Sequence, residues 1–97
     1  MSLKRDMVVT YDICDPKRLR LVFETMKAYG EHVQLSVFRC QLDDLLKTRM
    51  VRELTEIVNH DMDQVLIFDL GPSKNLAARV EWVGVPYEPP RRGPTLL

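Results

Sequence analysis

Hydrophobic and polar residues alternate with two different periods along this chain, and each change of period marks a predicted element. Residues 7–13 (MVVTYDI) are mostly β-branched and aromatic, which predicts a buried strand. Asp15 and Pro16 then form a good N-cap and first-residue pair for a helix. An apolar stripe at helical spacing follows, consisting of Leu19, Val22, Phe23 and Met26. Gly30 is placed to end this amphipathic helix as a left-handed cap.

The next segment returns to a period of two. Residues 32–42 (HVQLSVFRCQL) alternate cleanly, which predicts either one long bent strand or two short ones. On this alternation the core-facing side carries Val33, Leu35 and Val37. The opposite side carries Gln34, Ser36 and Phe38.

A second helix and further strands complete the pattern. Asp43 can cap a helix whose apolar stripe is Leu46, Met50, Leu54 and Ile57 or Val58. Residues 64–70 (QVLIFDL) predict a third apolar strand, and residues 79–85 predict a weaker one. The segment from Pro86 onwards is rich in proline and cannot form a core element.

This order of elements predicts an α+β fold in one domain. We expect a ferredoxin-like βαββαβ sandwich with an extra C-terminal strand, in which an antiparallel sheet carries both helices on one face. Residues 1–85 would form the domain, and residues 86–97 a proline-rich tail. The other face of the sheet needs a cover, and a second copy of the chain is the expected one.

The composition of the chain argues against several classes of protein. The chain of 97 residues has 14 Lys+Arg and 14 Asp+Glu, so it lacks the cationic excess of a protein that coats nucleic acid indiscriminately. Any contact with phosphate must therefore come from a local patch. Two cysteines do not make a disulfide framework, no apolar run approaches a membrane span, and no signal peptide is evident, so we expect a cytoplasmic protein.

The end of the first strand is where chemistry is best placed. Asp12 shares a face with Val8 and Thr10, and it precedes the start of the first helix, where Lys17, Arg18 and Arg20 lie. Helix amides and basic side chains together bind phosphate, and Mg²⁺ is commonly held by one or two carboxylates with water and substrate phosphate. This pattern fits metal-assisted phosphodiester cleavage. Equally, Asp12 could only cap a turn, and the arginines could simply be solvated.

A single carboxylate supplies few ligands for a metal ion. A twofold dimer that brings two copies of Asp12 together would complete the site. On the predicted open face, Gln34, Ser36 and Phe38 form an edge or dimer surface, and we favour a dimer contact for Phe38 over base stacking. His32 and His60 have no acid or cysteine at ligand spacing, so no zinc site is predicted.

Several of these segments together resemble the small CRISPR-associated Cas2 family. They are the strand ending in Tyr11 and Asp12, the basic residues Lys17, Arg18 and Arg20, the pair Tyr29 and Gly30, residues 33–38 (VQLSVF) and residues 69–72 (DLGP). The resemblance covers residues 7–85. It implies a ferredoxin-like homodimer that acts with the Cas1 integrase in spacer acquisition. Members of the family are also described as metal-dependent endonucleases on single-stranded RNA or double-stranded DNA.

The resemblance also assigns site residues. The metal-binding Asp of the family falls on Asp12, with Mg²⁺ shared across the dimer axis. The other family positions fall on Tyr11, Arg18, Arg20, Ser36 and Phe38. Arg39 departs from the acidic residue expected after Phe38, and the tail is expected to pair with the other subunit or with the integrase.

Three hypotheses of function follow. The first is a nuclease that uses Asp12 and Mg²⁺, with Arg18 or Arg20 steadying the phosphate charge. The second, which we favour as the physiological role, is a nucleic-acid scaffold for the integrase with no chemistry of its own, the nuclease then being an additional activity. The third is a related ribonuclease toxin of the same fold, while a small-molecule regulatory domain is disfavoured because no Gly-rich ligand loop is found.

Overall fold

The computed structural model describes residues 3–73 and 80–88 of the chain. The elements in these ranges are β1 (Arg5–Asp12), α1 (Pro16–Lys27), β2 (Gly30–Gln34), β3 (Val37–Leu42), α2 (Asp44–Ile57) and β4 (Gln64–Pro72). This order confirms the predicted βαββαβ arrangement. Neither of these two helices is long and apolar enough to cross a bilayer.

The four strands form one antiparallel sheet in the order β2-β3-β1-β4. The first strand lies at the centre and pairs with both β3 and β4, so each helix crosses from one strand to a strand that is not its neighbour. This is the connectivity of a ferredoxin-like fold. It places the carboxyl end of β1 next to the amino end of β4, where Asp12 lies opposite Gln64.

Both helices begin where their capping residues predict. The Asp15 carboxylate accepts a hydrogen bond from the Arg18 amide at 2.9 Å, and the Asp43 carboxylate accepts one from the Leu46 amide at 2.8 Å. These bonds satisfy amides that have no partner within the helix. Local sequence therefore fixes the starts of α1 and α2.

The predicted role of Gly30 as a helix cap is wrong. Helix α1 ends at Lys27, followed by Ala28 in a right-handed conformation, and Gly30 is the first residue of β2. A Cβ atom at Gly30 would lie 2.4 Å from the Arg39 carbonyl oxygen and 2.5 Å from the Cys40 sulfur. Glycine is needed here because β3 passes too close for any side chain.

The hydrophobic core lies between the helices and one face of the sheet. Alternate residues of β1 face it, and Met7, Val9 and Tyr11 are buried as the alternation predicts. The other buried apolar residues come from both helices and β3: Val22, Met26, Phe38, Cys40, Leu42, Met50 and Leu54. The predicted helix stripes thus face the core, although Leu19 remains 39% exposed.

The segment 32–42 forms two strands, and its predicted facing is wrong. The chain reverses at Leu35 and Ser36, and Leu35 takes a positive φ of 38° and is 83% exposed. Because the reversal restarts the alternation, Phe38 points to the helices together with Cys40 and is fully buried. Phe38 is therefore a core residue, and its ring is not on the open face for a dimer contact or for base stacking.

No strand is present among residues 80–88, where most of the weaker strand 79–85 was expected. Arg79 and residues 89–97 of the tail lie outside the described residues. Gly84 has a φ of 92°, and Pro86 has no amide hydrogen, so the backbone here is poorly suited to a ladder. The predicted extra C-terminal strand is thus not found in the described part of this single chain.

Candidate metal and nucleic-acid site

Asp12 is exposed at the end of β1, on the sheet face that the helices leave open. The register confirms that it shares this face with Val8 and Thr10. Among the described residues, its carboxylate makes no hydrogen bond and no ion pair. A carboxylate whose two oxygens are both uncommitted is available as a ligand for a hard cation.

Tyr11 points the other way, into the core. It is 7% exposed, its ring stacks on Phe38 with centroids 6.3 Å apart, and its amide donates to the Ser36 carbonyl at 3.1 Å. Burial raises the pKa of Tyr11, and a hydrogen bond with the Ser36 side chain opposes that rise. Adjacent strand residues face opposite sides of a sheet, so the structure does not bring the Tyr11 phenol and the Asp12 carboxylate together.

Arg18 is not an open phosphate ligand, because it is already paired. Its Nε donates to Asp63 Oδ2 at 2.7 Å, and its Nη2 donates to Asp63 Oδ1 at 3.3 Å. The Asp63 side chain is fully buried, and the Arg18 side chain is 25% exposed. The pairing holds the pKa of Asp63 well below its usual range, chiefly through the Arg18 hydrogen bond. The predicted cationic corner is therefore partly neutralised.

Asp63 is the residue that the sequence analysis missed. It lies in the polar segment between α2 and β4, separated by 45 positions from its partner Arg18. The only local signal is its place just before the apolar strand β4, and that signal does not identify a partner. Contacts of such long separation follow from topology and not from spacing.

Arg20, Ser36 and Tyr11 are brought together on the helix side of the sheet. They line a hollow of about 430 Å³ between the first turns of α1 and the β2–β3 turn, with an otherwise apolar wall that includes Phe23 and Leu35. The exposed Arg20 side chain has no acidic partner among the described residues. Arg20 therefore remains available as a phosphate contact, as predicted.

Gln34 lies elsewhere, at the exposed end of β2. It borders a second hollow shared with the segment 80–88, which includes the half-exposed Trp82. Arg39 forms an ion pair with Glu31 of β2 at 2.8 Å, and both side chains are largely buried. The charge of Arg39 is therefore balanced by Glu31 on the neighbouring strand.

The residues of one chain supply only part of the ligand set that a magnesium ion needs. Within residues 3–73 and 80–88 no group of three or more potential metal ligands occurs. Asp12 nevertheless supplies the oxygen donor that Mg²⁺ prefers, and Mg²⁺ commonly retains several waters and binds one or two carboxylates plus substrate phosphate. The donor set is compatible with Mg²⁺ if further ligands come from water, substrate or another subunit.

An apolar strip runs beside Asp12 on the open face. It consists of the β4 residues Leu66, Phe68 and Leu70, which are 43%, 49% and 44% exposed. Thr10 lies opposite Leu66 and Val8 lies opposite Phe68, so this strip and Asp12 share one face. Half-exposed aromatic and aliphatic side chains in a row are typical of a surface that binds a partner.

The family model described as CRISPR associated protein Cas2 matches residues 5–77. The chain belongs to the Cas2 family. It is 48% identical over 81 residues to the CRISPR-associated endoribonuclease Cas2 1 of Rhodospirillum rubrum, covering 84% of this chain and 79% of that protein. It is 44% identical over 82 residues to the CRISPR-associated endoribonuclease Cas2 of Geobacter sulfurreducens, covering 84% and 86%.

A solved structure supports the fold of this Cas2 chain. The crystal structure of Streptococcus pyogenes Cas2 at pH 6.5 superposes with a TM-score of 0.72 at 36% sequence identity, covering 81% of this chain and 99% of that one. The predicted family and the predicted ferredoxin-like fold class are both confirmed.

Proposed function

We propose that this Cas2 protein is a homodimeric, Mg²⁺-dependent endonuclease whose metal is held by Asp12 of both subunits. The observation that carries the proposal is the exposed Asp12 carboxylate, which has no partner among the described residues and lies beside an apolar strip. Carboxylates at strand ends are often used as turn caps, and this one is not. It is therefore free for a ligand.

The apolar strip supports the dimer. Leu66, Phe68 and Leu70 lie on the same face as Asp12 and leave apolar surface in water. Burial of such apolar surface is the main favourable contribution to the association of two proteins. In a twofold dimer the same patch is used by both subunits, so two open faces meeting near the axis would bring the two Asp12 carboxylates toward one another.

Mg²⁺ bound there would neutralise charge on the scissile phosphate and make water a better nucleophile near neutral pH. The protein residues contribute binding and orientation. Asp12 would hold the metal, and Arg20 would contact a phosphate of the bound strand. A buried Tyr11 would support the strand end by packing on Phe38 rather than by touching the nucleic acid.

Single-stranded RNA is the substrate that we favour, because the two relatives described above are both named endoribonucleases. Double-stranded DNA is the alternative that the family resemblance implies. The cytoplasm is the expected site of action. Both cysteines are free, which accords with a reducing compartment.

A cleavage assay on RNA and on duplex DNA, with and without Mg²⁺, tests this proposal. We expect Asp12→Ala to reduce cleavage about 100-fold or more while the dimer stays intact, since even the partners of metal ligands cost about 10–100-fold when they are lost. Asp61→Ala is the matched control, because Asp61 is another exposed acid near this end of the sheet. Cleavage that survives Asp12→Ala would remove Asp12 from the mechanism.

A scaffold for the Cas1 integrase in spacer acquisition is the second candidate. It is favoured by the single carboxylate and by the exposed apolar residues of the C-terminal segment, Trp82, Val83 and Val85. This function predicts that spacer integration tolerates Asp12→Ala. It also predicts that integration weakens when residues 86–97 are deleted or when Arg20 is neutralised. Integration that is insensitive to those changes would exclude the scaffold function.

A further inference from the structure

The buried carboxylate of Asp63 accepts four hydrogen bonds. Oδ1 accepts from the Cys14 amide at 2.9 Å and from Arg18 Nη2 at 3.3 Å. Oδ2 accepts from Arg18 Nε at 2.7 Å and from the Asn59 amide at 2.8 Å. Both oxygens are thus fully used by donors on three different segments of the chain.

These bonds close the end of the sheet at which Asp12 lies. Gln64, the residue after Asp63, pairs with Asp12 in the β1–β4 ladder, and the Asp63 carboxylate reaches the amide of Cys14 just beyond Asp12. The Cys14 thiol also donates to the Met62 carbonyl at 2.9 Å. The segment that contains Asp63 therefore holds Asp12 through the ladder and holds the backbone just after Asp12 through Cys14.

We propose that Asp63 is a positioning residue for Asp12, and that Arg18 acts through Asp63 and not on the nucleic acid. This inference rests on the proposed metal-dependent function. Partners that orient a metal ligand fix the position of its oxygens without touching the metal. A freely moving strand end would spread the Asp12 carboxylate over many positions and weaken metal binding.

Replacing the Asp63 carboxylate by an amide would break this hydrogen-bond network without changing the size or shape of the side chain. Asp63→Asn has the same shape, but it offers one acceptor oxygen and replaces the other with an NH₂ group. That NH₂ group would face either the Cys14 amide or the Asn59 amide, and Arg18 as well, all of which are donors. At least one of the three segments is then released.

The chain offers a matched control in the Arg5–Asp69 pair at the opposite end of β1. Arg5 Nε donates to both oxygens of Asp69, at 3.0 Å and 2.9 Å, and Asp69 also accepts from the Gly71 amide at 2.8 Å. Asp69→Asn makes the same chemical change in an Arg–Asp pair that is more exposed. It does so at the end of β1 that is remote from Asp12.

The experiment compares wild type, Asp63→Asn, Asp69→Asn and Asp12→Ala by three measurements: hydrogen exchange of the Cys14 amide, equilibrium binding of Mn²⁺, and kcat and KM for RNA cleavage. For Asp63→Asn we expect Cys14 exchange about tenfold faster and Mn²⁺ affinity about tenfold weaker. We also expect a lower kcat with little change in KM. Asp69→Asn should match wild type in all three.

The two failures are distinguishable. Wild-type Mn²⁺ affinity and kcat in Asp63→Asn, with both lost in Asp12→Ala, would overturn the positioning role and leave the proposed function standing. Mn²⁺ binding that survives Asp12→Ala would overturn the metal site and the positioning role together.

If Asp63→Asn does not fold, Arg18→Lys provides the test. It keeps the charge and the backbone bonds of Asp63 but loses the two-point contact, so we expect a smaller loss of Mn²⁺ affinity in the same direction. Weaker RNA binding with unchanged Mn²⁺ affinity would show Arg18 acting on the nucleic acid, which contradicts the inference.

Discussion

The two faces of the sheet have opposite characters, although they are made by alternate residues of the same strands. On the helix-covered face, Phe38 is fully buried and packs against Tyr11. On the open face, Phe68 is 49% exposed, and the Asp12 carboxylate makes no hydrogen bond or ion pair with the described residues. The first face is complete within one chain, whereas the second has groups that still need partners. The fold is therefore determined by one face, and the proposed function belongs to the other.

The largest effect on stability should come from the covered face. Phe38→Ala removes a fully buried ring that contacts the rings of Tyr11, Phe23 and His32. We expect a loss of about 3–5 kcal/mol in the free energy of unfolding. Chemical denaturation measures it, and Phe38→Leu, which retains most of the apolar volume, is the milder control. A loss below about 1 kcal/mol would mean that Phe38 is not a core residue.

Phe68→Ala is the matched substitution on the open face. We expect a small change in the stability of the monomer but weaker self-association, because burying the exposed half of this ring in a dimer contributes about 0.7–1.5 kcal/mol for each subunit. Analytical ultracentrifugation of wild type and variant should show a dissociation constant raised at least about tenfold. An unchanged dimer would place the interface away from the apolar strip.

These two positions also show how far sequence reasoning reached. Alternation predicted the facing of β1 correctly, and Asp15 and Asp43 identified both helix starts, because these signals are local. The facing of Phe38 was predicted wrongly because the chain reverses at Leu35, which takes a positive φ without the glycine or asparagine that usually marks such a turn. The pattern of apolar and polar residues in 32–42 does not predict a turn at this position.

The site was predicted in part for the same reason. Asp12 was proposed from its place at a strand end, and the face that it was predicted to share with Val8 and Thr10 is confirmed, while its metal-binding role stays a prediction. The pairing of Arg18 with Asp63 could not be predicted, since it depends on the β1–β4 ladder that brings residues 45 positions apart into contact. Its charge, its place at the start of the first helix and the family resemblance made Arg18 a candidate phosphate ligand.

Acid should weaken the hydrogen bonds that the Asp63 carboxylate accepts at the end of the sheet near Asp12. The pKa of Asp63 is lowered in the folded protein, so its contribution to stability is present above the unfolded value near 3.8 and is lost as pH falls toward the folded value. We expect the difference in Tm between wild type and Asp63→Asn to be constant above about pH 5 and to shrink below about pH 4. Thermal melts from pH 7 to pH 3 measure it, and a difference that does not change with pH would contradict this explanation.

The smallest effect is expected at the far end of β1. The Arg5 and Asp69 side chains are 42% and 38% exposed, so their ion pair is screened by water. We expect Asp69→Asn to lower the free energy of unfolding far less than Phe38→Ala does, with a smaller difference at high salt. Urea denaturation at low and high salt tests this. A loss comparable with that of Phe38→Ala would show that the Arg5–Asp69 ion pair contributes more to stability than its exposure indicates.

The most direct test of the account is the stoichiometry of metal binding. Isothermal titration of the purified protein with Mn²⁺ should give one ion for every two chains, because the account assigns a single shared site to two copies of Asp12. Asp12→Ala should abolish this binding while the protein remains a dimer. One independent ion for each chain, or binding that persists without Asp12, would contradict the shared metal site.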